Sequence, residues 1–275
     1  MNIFFICALR AEAKPFIEAL NLKKLLDQKA FDVYKRNNFF LCISGIGKVK
    51  AAAATAYVLT AFSKNAGDIL INCGVAGYNT PLISKGETVL INKITDQDTF
   101  KEFFPNIIIS HSYKEHEIHT FSKAVSLSSP EKKEFVDMES SGVYIAASRF
   151  LYLNNIYFLK VALDNLSPEG IKEESILSVM SENINSILNF AESADLLSQN
   201  TSFEFNFSQE DERKLSELFE KMKLTKSMKD KVILLLKKRY VYGKKTLPDM
   251  QNIIFPVTNK DERKKEFDKL IEYLS

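Results

Sequence analysis

Three carboxylates stand out by the patterns around them. Val136-Asp137-Met138-Glu139-Ser140-Ser141 sets two acids around a methionine at the mouth of a helix, and Phe158-Leu159-Lys160-Val161-Ala162-Leu163-Asp164 ends an apolar run in a third. In an open α/β sheet, ligands gather beyond the carboxyl ends of the strands. Glu139 and Asp164 are therefore expected to face one pocket. Two carboxyl groups in different surroundings can divide acid work from charge stabilisation. On their own they would equally suit a metal, a sugar or no ligand.

The flanking elements are those of a covered sheet. Ile3 to Leu9 is continuously apolar, the habit of a strand buried on both faces, and Arg10-Ala11-Glu12-Ala13 then opens a helix. Glu12 at that junction reads either as a solvated first-turn acid favoured by the helix dipole or as a carboxylate facing the pocket. Phe31 to Tyr34 and Asn38 to Ile43 form an antiparallel pair around Lys35-Arg36-Asn37. Ser44-Gly45-Ile46-Gly47-Lys48-Val49 follows, ahead of an Ala-rich helix to about Phe62. Two glycines between strand and helix let the backbone approach a ligand, and the helix start offers free N–H groups. The spacing is that of neither the dinucleotide fingerprint nor the P-loop. Asp68 to Gly77 is a buried strand ending in the small-residue turn Gly74-Val75-Ala76-Gly77; Pro81 to Gly86 is a turn and Glu87 to Ile94 a strand. Three glycine-bearing turns thus gather at one sheet edge.

His111, His116 and His119 lie in the least patterned stretch, residues 95 to 134. No Cys or ordered carboxylate set accompanies them, so they are expected to be solvated or partly buried and no metal is expected. Lys123 to Ser128 reads as a short strand, Met138 to Leu151 as a helix packing through Met138, Val143, Ile145, Ala146, Ala147 and Phe150, and Ile156 to Leu163 as a strand. A loop of turn formers follows Asp164, and an amphipathic helix from Ser175 to about Leu197 returns over the sheet.

Composition bounds the rest. The 275 residues are 45% hydrophobic and 26% charged, which suits a globular chain with a substantial core. No apolar run approaches the roughly 18 residues of a membrane span, and the first nine residues lack the basic start of a secretory signal. A cytoplasmic location is the expectation. Cys7, Cys42 and Cys73 lie in strand-like segments and read as small buried hydrophobes in a reducing compartment. The net charge of +2 combines an acidic excess over residues 1–207 with a basic one over 208–275. That shift predicts two domains with those bounds. Phe203 to Phe207 alternates like a strand or adhesive linker; beyond it, helices are expected over Gln209 to Lys223, Ser227 to Arg239 and Asp261 to Leu274. Lys237, Lys238, Arg239, Lys244 and Lys245, with Tyr240 and Tyr242 among them, form a solvated basic face or a surface for an unidentified protein or nucleic acid.

Six stretches, in order, carry a resemblance: Ala8 to Glu12, Ser44 to Val49, Ile71 to Gly77, Lys85 to Val89, Asp137 to Ser140 and Val161 to Asp164. Over roughly residues 1 to 195 the chain resembles the 5′-methylthioadenosine/S-adenosylhomocysteine nucleosidases of the nucleoside phosphorylase superfamily. The resemblance implies a three-layer α/β fold, a mixed central sheet flanked by helices, here with a helical C-terminal extension over 208–275. It implies hydrolysis of a purine nucleoside, a 5′-substituted adenosine such as methylthioadenosine, S-adenosylhomocysteine or 5′-deoxyadenosine, with no cofactor. The alternatives are a phosphate-dependent phosphorylase, for which Arg10 and Lys48 would be the anion contacts, and a nucleoside-binding protein without efficient turnover. By position, Met138 and Glu139 would hold the ribose, Asp164 would protonate the leaving purine at N7, and Glu12 would orient the attacking water. Gly45, Ile46, Gly47, Val75, Ala76 and Gly77 would supply further pocket backbone, and Ser126 and Leu127 the base site. Glu12 and Glu139, hydrogen-bonded, are expected to stay ionised, while Asp164, near other acids and partly desolvated, keeps its proton. A homodimer or larger homo-oligomer is implied.

The chain departs from the family pattern at Val75 and Leu163, where the family has serines, and in a short 98–135 segment that reduces the lid to Ser128-Ser129-Pro130-Glu131-Lys132-Lys133. The stacking aromatic must then come from a neighbouring subunit or from Phe103, Phe104 or Tyr113.

Overall fold

The computed structural model describes residues 1–126, 128–129, 133–167, 171–201, 207–241, 257 and 259–274. They fall into two compact units, Met1–Ser202 and Phe203–Ser275.

The first unit is built on a ten-stranded mixed sheet. Its strands are β1 (Ile3–Cys7), β2 (Lys23–Lys24), β3 (Asp32–Arg36), β4 (Phe39–Ile43), β5 (Ile69–Tyr78), β6 (Thr88–Asp96), β7 (Glu102–Phe103), β8 (Lys114–Thr120), β9 (Phe135–Asp137) and β10 (Ile156–Asp164). They run in the order β10-β6-β8-β9-β5-β1-β4-β3-β2, and β7 pairs with β6. β10 also pairs in parallel with β5, so β5, β9, β8, β6 and β10 close on themselves. β1 lies between β4 and β5, parallel to both. Its unbroken burial is what a central parallel strand covered on both faces requires.

Successive residues of β1 enter opposite cores. Phe5 and Cys7 join Phe16 of α1 (Arg10–Ala19) and Ile187 and Phe190 of α4 (Glu173–Thr201) on one face. Phe4 and Ile6 join Ala51, Ala54 and Val58 of α2 (Lys48–Phe62) and Val143 and Ala147 of α3 (Ser140–Ala147) on the other. The result is the three-layer α/β arrangement expected. α2 and α3 approach closely because Gly142 has no side chain: a Cβ there would lie 2.1 Å from the carbonyl oxygen of Lys48.

Several expectations need correction. Gly74 to Gly77 is not a turn, because β5 continues through it to Tyr78, paired with β10 and with β9. Residues 123–126 form no strand: they make no ladder, and Ser126 bonds locally to Ser128 and Ser129. α3 is shorter than the apolar pattern suggests, running only from Ser140 to Ala147 with Glu139 at its N-cap position; Ile145 is exposed. The histidines lie on or beside β8, each against a glutamate: His111 with Glu115, His116 with Glu134 and His119 with Glu117. Among the described residues no group of His, Cys, Asp and Glu could hold a metal, and no helix is long and apolar enough to cross a membrane. The three cysteines are buried and free.

In the second unit, α5 (Gln209–Lys221), α6 (Lys226–Val241) and α7 (Lys260–Leu274) share a core of Leu215, Phe219, Met222, Val232, Leu236 and Leu270. α5 starts where Ser208 accepts a hydrogen bond from the Asp211 amide. Phe203 to Asn206, Tyr242, Lys244 and Lys245, and the side chains of Lys237 to Tyr240, lie outside the described residues.

Candidate active site

One cleft at the carboxyl ends of β1, β5 and β10 collects acids from three parts of the chain. Its lining includes Glu12, Asp137, Met138, Glu139 and Asp164, with Ile46, Val75, Ala76 and Gly77. Glu12 comes from the first turn of α1, the Met138-Glu139 pair from the β9–α3 junction and Asp164 from the end of β10.

Glu12 is buried rather than solvated. Its Oε2 accepts from the amides of Ala8 and Leu9, both at 2.8 Å, and its Oε1 from the amide of Val75 at 2.9 Å. Three of a carboxylate's roughly four acceptor positions are thus filled by backbone. The carboxylate lies against β5 because residue 74 is glycine: a Cβ there would meet Glu12 Oε1 at 2.6 Å. Burial raises the Glu12 pKa, against the pull of the three amides and of Lys160.

Glu139 is also buried. Its Oε1 accepts from the Gly47 amide at 2.8 Å, so the glycine loop contributes a backbone donor to the site, one step behind the cleft wall. Gly45 and Gly47 both have positive φ, 79° and 103°, which a residue with a Cβ adopts only with strain. Lys48 anchors that loop through Asp96 and Asp98, 2.7 Å from each, and Ser141 donates to the same Asp96 oxygen at 2.7 Å. Burial works against the charge on Asp96, but Lys48, Ser141 and Thr99 together hold its carboxyl down at about 2. Lys48 is thereby committed to the loop, and Arg10 faces Tyr34; neither lines the cleft.

Behind Glu139 lies a residue that attracted no attention in the sequence. Lys160 is 1% exposed, in the middle of β10, with its Nζ 2.9 Å from Asp137 Oδ2. Asp137 also accepts from the Thr120 hydroxyl at 2.8 Å and from the amide and hydroxyl of Ser140 at 2.9 and 2.6 Å. A lysine inside an otherwise continuous apolar strand was the available signal, because burying an ammonium requires paired acids. Glu139 is pushed up to about 7, by burial first and then by Asp137, with Lys160 and the Gly47 amide opposing. This corrects the expectation of a firmly ionised Glu139: backbone bonds do not outweigh desolvation there.

Asp164 is half-buried and accepts one backbone bond, from the Ser167 amide at 2.8 Å. Its pKa is raised by burial, not by neighbouring acids, with the Ser167 bond opposing. The strand irregularity between Ala162 and Asp164 brings Asp164 opposite Gly77, where even a Cβ would be 3.5 Å from its Oδ2. Beside it, the wall is made by Lys123, Ala124, Val125, Val136 and Ile171. Ser126 does not line the cleft, since its hydroxyl is turned to Ser128 and Ser129, and Leu127 lies outside the described residues. None of Phe103, Phe104 and Tyr113 reaches the cleft: Phe103 packs on Tyr144, Phe104 is exposed and Tyr113 packs on Phe190.

No family model matches the chain, and no curated protein matches it by sequence. Solved structures match along most of its length. A 5′-methylthioadenosine/S-adenosylhomocysteine nucleosidase from S. pneumoniae, with a transition-state inhibitor, has a TM-score of 0.56 at 20% identity, over 70% of this chain and 99% of that one. An Arabidopsis thaliana 5′-methylthioadenosine nucleosidase scores 0.57 at 17% identity, over 69% and 95%. A futalosine hydrolase mutant of Helicobacter pylori scores 0.53 at 17%, over 70% and 98%. The chain has the nucleosidase fold. In it, the acids gathered above stand where that fold ends its parallel strands, at the edge where an open sheet takes its ligand.

Proposed function

We propose that this protein hydrolyses the N-glycosidic bond of a purine nucleoside, with a 5′-substituted adenosine as substrate. The observation that carries the reading is the convergence of Glu12, Met138-Glu139 and Asp164, from separate elements, on one cleft. Cleavage leaves positive charge on the ribose and negative charge on the base. Glu12 and Glu139 stand on the buried side to stabilise the first. Asp164, whose pKa burial raises, stands at the open side to supply a proton to the second. Met138 packs against the sugar, and Glu139 accepts from its hydroxyls.

Water is the acceptor in this reading. The free lone pair of Glu12 suits a water, whereas phosphate would meet three acids, Glu12, Asp137 and Glu139, with Arg10 and Lys48 turned elsewhere. The test is adenine release from methylthioadenosine, S-adenosylhomocysteine and 5′-deoxyadenosine, with and without phosphate. Release that requires phosphate would make the protein a phosphorylase. Binding without release would make it a nucleoside-binding protein.

A further inference from the structure

The hydrolase reading leaves one buried charge without a task. Lys160 does not line the cleft, and its ammonium is sealed behind it, 2.9 Å from Asp137. We propose that Lys160 is a positioning residue that holds Asp137 in place behind Glu139 and offsets its charge, so that Glu139 presents an acceptor rather than a proton to the sugar side of the cleft when a ribosyl cation develops there. This inference rests on the nucleosidase reading and adds to it the device that keeps Glu139 an acceptor.

The groups facing Lys160 come from every element around it. Asp137 of β9, Glu139 at the start of α3 and Glu12 of α1 are the acids that act on it. Cys7 of β1 and Cys73 of β5 feel it as well, but burial pushes both thiols up, so they remain neutral. Lys48 of α2 is neutralised by Asp96 and Asp98. One ammonium is therefore shared among three carboxylates. Asp137 already accepts four bonds, three at Oδ2 from Lys160 and from the amide and hydroxyl of Ser140, and one at Oδ1 from Thr120. Its negative charge nevertheless pushes against Glu139, and Lys160 offsets that push. With the ammonium removed, two buried carboxylates would face each other, and Glu139 would take up a proton and become a donor where an ionised acceptor is required.

Neutralising the two partners must then move activity in opposite directions along the pH axis. Lys160→Met is expected to raise the acid limb of the kcat/KM profile for methylthioadenosine by about 1–3 pH units. Asp137→Asn, which keeps hydrogen bonds to Thr120 and Ser140 but leaves the ammonium to Glu139 and Glu12, is expected to lower it. Lys160→Arg should keep the limb within about half a unit of the parent, because the cation is retained. A loss of structure alone would not produce shifts of opposite sign. If Lys160→Met does not fold, Asp137→Asn and Lys160→Arg decide. Limbs that stay put, or that move the same way in both neutralised variants, would overturn the proposal. Carbon-13 NMR titration of the glutamate side-chain carboxyls reads the same shifts without turnover. A wild type that releases no base would therefore end the hydrolase reading while leaving this proposal to be judged by the titration.

Discussion

The two sides of the cleft are built differently. On the buried side, Glu12, Asp137, Glu139 and Lys160 are each under a tenth exposed, and the three acids are gripped by backbone amides of Ala8, Leu9, Val75, Gly47 and Ser140. On the open side, Asp164 holds one amide bond, from Ser167, and its neighbours Lys123 and Ala124 come from irregular chain. In the proposed hydrolysis, charge would be fixed by strand ends and helix starts, and recognition of the base would fall to loops. On the proposed function, the difference separates the part of an N-glycosidic cleavage that needs rigidity from the part that does not. Stabilising a transient cation depends on groups that are already oriented and need not reorganise. An apolar wall that covers a planar base tolerates more variation.

The comparison breaks most sharply at Asp164. Asp164→Asn removes the proposed proton donor to the base while keeping the shape and the Ser167 bond. Adenine release is expected to fall about 10²–10⁴-fold, with nucleoside affinity by calorimetry changed less than about threefold. Unchanged turnover would take Asp164 out of the chemistry and leave the buried side alone responsible.

Gly74→Ala tests the opposite side without replacing a charged residue. The new Cβ would sit 2.6 Å from Glu12 Oε1, so the carboxylate must leave at least part of its amide cradle. Overpacking of this kind costs about 1–3 kcal/mol of stability, readable by urea unfolding. A fall of about 10–100-fold in kcat with little change in KM is expected, since misplacement at a reacting centre acts mainly on the transition state. A stable variant with full kcat would show that Glu12 does not need its fixed position.

The same contrast governs how much could be read from the chain. The three-layer fold was legible because buried parallel strands read as apolar runs, as Ile3–Cys7 does without a break and Ile156–Leu163 does but for Lys160, and because Gly45 and Gly47 punctuate a strand-to-helix passage. Glu12, Met138, Glu139 and Asp164 were visible as acids and a methionine at element ends. Two kinds of feature were not. Glu12 alone gave no sign of burial, because the amides that permit it belong partly to Val75, 63 residues away. Lys160 was passed over because its partner acid lies on β9, and a strand pairing cannot be deduced from local pattern. On the open side, the strand expected over Lys123 to Ser128 is absent from the described residues 123–126, where serines satisfy one another locally in competition with a ladder.

Val75 is where the two sides meet, and it allows the smallest and sharpest test. Its amide serves Glu12 on the buried side, and two residues on, Gly77 lies opposite Asp164 on the other. Its side chain lines the cleft but offers no hydrogen bond. Val75→Ser keeps the amide and adds a hydroxyl, at a cost of about 1 kcal/mol in lost apolar packing. One new neutral hydrogen bond is worth about 0.5–1.5 kcal/mol, so kcat/KM for methylthioadenosine should rise about 2–10-fold if the open side is short of polar contacts. A rise confined to KM would place the hydroxyl on the bound nucleoside, and a rise in kcat would place it on the water held by Glu12. A variant no better than the parent would mean that polarity at this junction is not limiting, and that the imbalance between the two sides lies in the wall around Ala124 and Val125.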